Sequence, residues 1–292
     1  MSAPPPPLPS PLPSSRRDWA ALLAQLGVRP SKGLGQNFLY ERGIVQRMVR
    51  SLGIGPDDLV LEIGPGLGIL TDELLLRAGE VTAIELDGRL AAHLEQAFAG
   101  RPSFRLVRGD ALKIATDAVI PPGRPFVVVA NLPYAVASAV LRHLLEQPHR
   151  PRRMGLMMQK EVVERICAVP PNLSVLAVAT QFYARPRPAF DVAPTVFIPP
   201  PTVESAVVIL DVLPEPPLPN GLHPRFFRVV NAGFRQKRKQ VANSLAAELD
   251  LPKDDIVAWL TGQGIDPMRR AQTLTVEEWV RLTLAAPVGV TS

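Results

Sequence analysis

The sequence predicts an α/β fold: a parallel sheet wound with helices, followed by a small all-α domain. Three observations predict it. Four short apolar runs, Leu59 to Ile63, Val81 to Ile84, Phe104 to Val107 and Phe126 to Ala130, have the length and continuity of buried strands. Each run ends at a position suited to chemistry: a glycine turn, an acid, a second acid, and an Asn-Leu-Pro-Tyr turn. Composition then shifts at Leu213 to Pro219, a Pro-rich linker ahead of a helical remainder. The expected organisation is a Pro-rich disordered tail over 1–17, an α/β domain over 18–213 and a helical domain over 214–292.

At 292 residues the chain is long enough for one sizeable core and a smaller appendage. Hydrophobic residues make up 47%, yet no apolar stretch approaches the roughly 20 residues that span a bilayer. One cysteine, Cys167, leaves no intrachain disulfide, and the four histidines show no ligand spacing. A soluble enzyme of a reducing cytoplasm is expected, with no membrane and no metal.

The tail is rich in proline and serine, and Pro4 to Pro7 interrupt any apolar core a signal peptide would need. An organelle transit peptide stays open, because no acid precedes Asp18 and Arg16 and Arg17 are present, although amphipathic periodicity is lacking. Trp19, Leu22, Leu23 and Leu26 form one helical stripe stopped by Gly27. The segment from Gly33 to Leu39 precedes the first sheet strand. It is expected to fold over a bound cofactor, with Asn37 reaching one end and Leu39 capping it; a plain surface loop is the alternative.

The run at Leu59 to Ile63 enters Gly64-Pro65-Gly66-Leu67-Gly68, and a helical pattern (Ile69, Leu70, Leu74, Leu75) follows. Strand, glycine turn and helix bring a ligand against bare backbone. The spacing is G-x-G-x-G, not the G-x-G-x-x-G of dinucleotide folds, which argues against a pyrophosphate and for S-adenosyl-L-methionine. Glu85 ends the second strand about twenty residues on, where an acid binds both ribose hydroxyls. Asp110 follows the third strand within Gly109-Asp110-Ala111, placed to accept from the cofactor's adenine amine.

The fourth strand runs into Asn131-Leu132-Pro133-Tyr134. The exocyclic amine of adenine is a poor nucleophile because its lone pair is delocalised. Asn131 offers a carbonyl acceptor that draws the nitrogen toward a tetrahedral shape, Pro133 stiffens the turn, and Tyr134 offers a stacking face. A structural turn with a buried tyrosine is the alternative.

Ala137 to Glu146 reads as a helix, Met154 to Met158 as a strand and Lys160 to Ala168 as a helix. Phe182 to Ala184 and Val203 to Val212 read as strands completing the sheet, with Pro199-Pro200-Pro201 a stiff connector at its edge. The net charge is +5. Arg225, Arg228, Arg235, Lys237, Arg238 and Lys239 occur with no acid among them, and Phe226, Phe227 and Phe234 supply the buried stripe of that region. Such a surface gains affinity for phosphate backbones by releasing counterions; a solvated helix face is the alternative. Arg150, Arg152 and Arg153 are expected to extend it.

The chain resembles the small-subunit rRNA adenine N6,N6-dimethyltransferases from about Leu34 to about Leu284. The motifs are Gly35 to Leu39, Glu62 to Gly66, Ile84 to Asp87, Asn131 to Tyr134, Met158 to Val162, Phe197 to Ala206, Phe234 to Lys239 and Gly264 to Pro267. The resemblance implies a class I S-adenosylmethionine-dependent, Rossmann-like methyltransferase domain with a small C-terminal helical domain. It implies that Asn37, Leu39, Gly64, Glu85, Asp110 and Asn131 line the cofactor pocket. It also implies a monomer that dimethylates two adjacent adenosines in a hairpin loop near the 3′ end of 16S rRNA, within the small ribosomal subunit. Two stretches depart from the family: Pro170-Pro171-Asn172 replaces a Tyr-Gly-containing triplet, and Ala135-Val136-Ala137 replaces a polar Asn-Ile-Ser. The residues themselves leave two alternatives open: an adenine N6-methyltransferase of other RNA or DNA, and a non-catalytic assembly or transcription factor of the same fold.

Overall fold

The computed structural model describes residues 10, 12–30, 36–287 and 290. The first half comprises α1 (Arg16–Gln25), β1 (Phe38–Leu39), α2 (Arg42–Leu52), β2 (Leu59–Ile63), α3 (Ile69–Leu75), β3 (Glu80–Glu85), α4 (Gly88–Ala97), β4 (Phe104–Arg108), β5 (Phe126–Asn131) and α5 (Ala137–Glu146). There follow β6 (Arg153–Gln159), α6 (Lys160–Ile166), α7 (Val175–Tyr183), β7 (Ala184–Val192), β8 (Phe197–Ile198) and β9 (Ser205–Val212). Among the described residues the last helices are α8 (His223–Phe234), α9 (Val241–Leu249), α10 (Lys253–Gly262) and α11 (Val276–Leu284).

The strands with the most continuous apolar runs take the centre of the sheet, because only there are both faces covered. Sheet order is β4-β3-β2-β5-β6-β9-β7, and Phe126 to Ala130 are all 0% exposed. Strands β4, β3, β2, β5 and β6 run parallel, while β9 joins β6 antiparallel. The chain steps outward from β2 to β3 and β4, then returns to place β5 on the other side of β2. That reversal opens a crevice at the carboxyl ends of β2 and β5, where open α/β sheets bind ligands. A separate two-stranded sheet pairs β1 with β8, Phe38 opposite Ile198 and Leu39 opposite Phe197.

The chain divides into two compact units, Met1–Val163 with Arg187–Val212, and Glu164–Pro186 with Leu213–Ser292. The chain passes between the units three times, at 163/164, 186/187 and 212/213; the last junction adjoins the expected boundary at 213, but 164–186 groups with the C-terminal helices. The reason is aromatic packing inside the second unit. Phe182 of α7 stacks on Phe226 of α8 at 4.2 Å between ring centroids, and Tyr183 lies parallel to Phe227. The expected strand at Phe182 to Ala184 is therefore wrong: Phe182 and Tyr183 end α7, and β7 begins only at Ala184.

One further expectation changes at the N-terminus. Residues 1–9 and 11 lie outside the described residues, as do Gly33, Leu34 and Gly35 of the linker. Arg16 and Arg17 are helical, with Ser15 capping α1 through the Asp18 amide. Leu12 is buried in the core, and the Ser10 hydroxyl accepts from Arg42 at 2.6 Å. The last part of the predicted tail is thus folded onto the first unit.

Candidate functional site

Register decides what meets at the crevice. Ile63 lies opposite Ile84 on one side and Ala130 on the other, so the chain leaves β2 at Gly64 between Glu85 and Asn131. The Gly64 amide donates to the Ile84 carbonyl at 2.9 Å. Its φ of +66° favours glycine, and no atom lies within 4 Å of where a Cβ would sit. The turn therefore presents open backbone. Gly68, at φ +89°, is needed for another reason: a Cβ there would come within 2.9 Å of both Leu94 and Phe98.

Glu85 is held by this turn. Its carboxylate accepts from the Gly66 amide at 3.0 Å and from the Asp87 amide at 2.9 Å. Burial pushes its pKa up, and the amides of Asp87 and Gly66 oppose that push. One cleft, with about 760 Å³ of empty space partly open to solvent, is lined by Asn37, Leu39, Gly64, Glu85 and Asn131, together with Leu132, Pro133 and Tyr134. The expected residues converge, with one exception. Asp110 does not line the cleft; its carboxylate accepts from the Leu112 amide at 3.0 Å and lies 3.7 Å from the Lys113 ammonium. It stays close by, since the neighbouring Gly109 amide donates to the Glu85 carbonyl.

Glu62 and Phe197 are among the lining residues that the sequence does not single out. Glu62 lines the cleft from inside β2 and is 0% exposed. Its Oε2 accepts from the Thr71 hydroxyl at 2.7 Å, while Oε1 is buried with no hydrogen-bond partner among the described residues. Burial, the largest cause, pushes this carboxyl up to about 8. Its signal was visible: a lone acid in the middle of an otherwise apolar strand. Phe197 also lines the cleft, brought there by the β1–β8 pairing that fixes Phe38 and Leu39. A two-residue strand has no periodicity to read.

The turn from Asn131 to Tyr134 is anchored on both sides. Asn131 is the last residue of β5, and the Leu132 amide donates to the Met157 carbonyl at 3.1 Å. The Tyr134 hydroxyl lies 2.7 Å from that of Ser205, and burial raises the phenol's pKa. Of the departing triplets, Ala135 is exposed and Ala137 buried in the first unit, while Pro170, Pro171 and Asn172 are exposed in the second.

The basic residues group differently from expectation. Arg225 and Arg228 lie on α8, but the helix ends at Phe234, so Arg235, Lys237, Arg238 and Lys239 stand exposed in the connection to α9. Buried Ser244 of α9 stops the helix: its hydroxyl donates to the Ala232 carbonyl at 2.7 Å and accepts from the Gln236 amide at 3.3 Å. The Val241 amide then donates to the Arg269 carbonyl, which brings the loop carrying exposed Arg270 beside this turn. Arg152 and Arg153 are already matched by acids of the first unit. They pair with Asp58 and Asp211 at the amino end of β6, opposite the crevice.

Parallel sheet, switch-point crevice and glycine turn together define a class I methyltransferase. Residues 29–286 match the family model described as ribosomal RNA adenine dimethylase, and the chain belongs to that family. It is 42% identical over 258 residues to the ribosomal RNA small subunit methyltransferase A of Dehalococcoides mccartyi, covering 88% of each chain. The protein of the same name from Moorella thermoacetica is 43% identical over 273 residues, covering 90% of this chain and 94% of that one. Among solved structures, the 23S rRNA methyltransferase ErmE aligns with a TM-score of 0.68 at 30% identity, over 85% of this chain and 99% of that one.

Methyltransferases of this class draw the methyl group from S-adenosylmethionine, and the cleft fits that molecule. The bare backbone at Gly64 admits close approach, the Glu85 carboxylate suits a diol, and the unpaired Glu62 Oε1 suits a cation. Among the described residues, no helix is long and apolar enough to cross a membrane.

Proposed function

We propose that this chain methylates N6 of two adjacent adenosines in a hairpin loop near the 3′ end of 16S rRNA, to N6,N6-dimethyladenosine, during small-subunit biogenesis in the cytoplasm. The observation that carries the reading is the convergence of Asn131 to Tyr134 with Gly64 and Glu85 in one cleft, on a chain 42–43% identical to named small-subunit methyltransferases.

S-adenosylmethionine supplies an electrophilic methyl group on a sulfonium. The chain's own residues bind and orient. Glu85 accepts from ribose hydroxyls. Glu62 faces the ammonium of the methionine end, where Asn37 and Leu39 close over it. The Asn131 carbonyl accepts from the target amine and draws its lone pair out of conjugation. Tyr134 stacks the extruded base. Transfer from a sulfonium needs in-line geometry and little acid–base help, so positioning dominates. Arg225, Arg228, Arg235, Lys237, Arg238 and Lys239 form the surface that binds the rRNA backbone, and the protein acts as a monomer.

The likeness to ErmE keeps a second reading in view, the same chemistry on large-subunit rRNA. The test is mass spectrometry of digested 16S and 23S rRNA after incubating undermodified subunits with the protein and S-adenosylmethionine. Dimethyladenosine in 16S rRNA is expected; its appearance only in 23S rRNA selects the second reading. Asn131→Ala should slow the chemical step by about two orders of magnitude, since its acceptor matters most as the nitrogen becomes tetrahedral. A near-normal single-turnover rate would leave this segment a structural turn.

A further inference from the structure

The turn bearing Tyr134 leaves the sheet at the end of β5, and β6 stands between it and β9. Even so, the Tyr134 hydroxyl reaches across to Ser205, the first residue of β9, at 2.7 Å. Ser205 is 0% exposed and sits in register opposite Gln159. A buried hydroxyl is costly unless it is hydrogen-bonded, so its bond to Tyr134 is the reason a polar side chain is tolerated there.

The residue before it is clamped. The Lys160 amide donates to the Glu204 carbonyl at 3.0 Å. The Lys160 ammonium then pairs with the Glu204 carboxylate at 3.0 Å and with Asp191 at 2.8 Å. Ser205 is thereby fixed by strand register on one side and by the Glu204 clamp on the other. Tyr134 has no such rigidity of its own. It is half-buried on a turn, and two side-chain torsions would leave its ring several orientations if the hydroxyl were free.

We propose that Ser205 is a positioning residue for methyl transfer. Its hydroxyl, set by the Lys160–Glu204 clamp, holds the Tyr134 ring in the orientation that stacks the target adenine beside Asn131. The inference rests on the function proposed above, in which Tyr134 carries the base. Stacking requires the ring plane to match the base plane, and a misoriented base loses the approach that transfer needs. The hydroxyl of Tyr134 therefore serves as an anchor and takes no part in proton transfer.

The test compares Ser205→Ala, Tyr134→Phe, the double variant and Tyr134→Ala in methylation of undermodified small subunits at saturating S-adenosylmethionine, with thermal unfolding as a control. Ser205→Ala and Tyr134→Phe should each lower kcat by about 5–10-fold with little change in KM, the loss expected for one hydrogen bond. The double variant should be no slower than either single one, because both remove the same bond. A wild-type kcat in Ser205→Ala, or losses that multiply in the double variant, would overturn the proposal. Should Ser205→Ala fail to fold, Tyr134→Phe decides alone, and a wild-type kcat there overturns it. Tyr134→Ala separates this inference from its premise: if it is slow while Ser205→Ala is normal, only the positioning role fails. If Tyr134→Ala is itself normal, the assignment of Tyr134 fails with it.

Discussion

Glu62 shows how a single residue is shaped by a site. Its carboxyl is pushed from an ordinary 4.5 up to about 8 by burial, so the folded protein holds a proton that the unfolded chain has released over this range. A folded pKa above the unfolded one favours the native state at low pH, and the advantage is lost as pH rises from about 4.5 through about 8. Glutamine mimics the protonated acid without titrating. Glu62→Gln should therefore match wild type in thermal unfolding near pH 5 and exceed it near pH 9 by an amount on the order of 1–3 kcal/mol. Parallel curves at both pH values would show that Glu62 is not held neutral. Glu85 is the opposite case, with both carboxylate oxygens already fixed by backbone amides. Glu85→Ala should weaken S-adenosylmethionine binding by roughly 1–3 kcal/mol in calorimetry. Unchanged affinity in a folded variant would remove it from the pocket.

Among the elements, legibility followed burial and length. The reading of Leu59 to Ile63 coincides with β2 and that of Ala137 to Glu146 with α5, because both carry strong apolar signals bounded by clear turns. Glu85 and Asn131 are legible as strand-end residues for the same reason: each closes a buried strand. Helix α7 was not legible. Its sequence, Val175 to Tyr183, is apolar nearly all round, and its aromatic end reads as strand. Strand β7 was hidden by Arg185-Pro186-Arg187-Pro188, since proline argues against any strand except one at an edge, which is where β7 lies. The glycine turn offers a test at this scale. Gly68→Ala forces a positive φ on alanine and drives a Cβ to 2.9 Å from Leu94 and Phe98. A loss of about 1–3 kcal/mol is expected in denaturant unfolding. An unchanged midpoint would mean α4 can retreat from the turn at no cost.

For the whole molecule, charge placement matters more than charge total. The net charge of +5 is modest, but four exposed cations cluster in the connection from α8 to α9, with Arg235 only loosely matched by Glu248 at 3.9 Å. Reversing Arg235, Lys237 and Arg238 to glutamate should weaken binding to small subunits and flatten its salt dependence, by roughly 0.7–0.9 in log–log slope for each phosphate no longer neutralised. Cofactor affinity should be unchanged. A wild-type salt slope would mark this turn as solubilising only.

The triple crossing of the chain between the two units bears on how the protein is made and cut. A nascent chain exposes the aromatic end of α7 well before α8 is synthesised to cover Phe182 and Tyr183. Until then the apolar rings are a target for aggregation or for a chaperone. A fragment ending at Val212 would keep the whole seven-stranded sheet and still carry that uncovered surface. Excising the first unit cleanly would require replacing 164–186 with a short bridge as well as removing the C-terminus, so this enzyme does not divide at a single peptide bond.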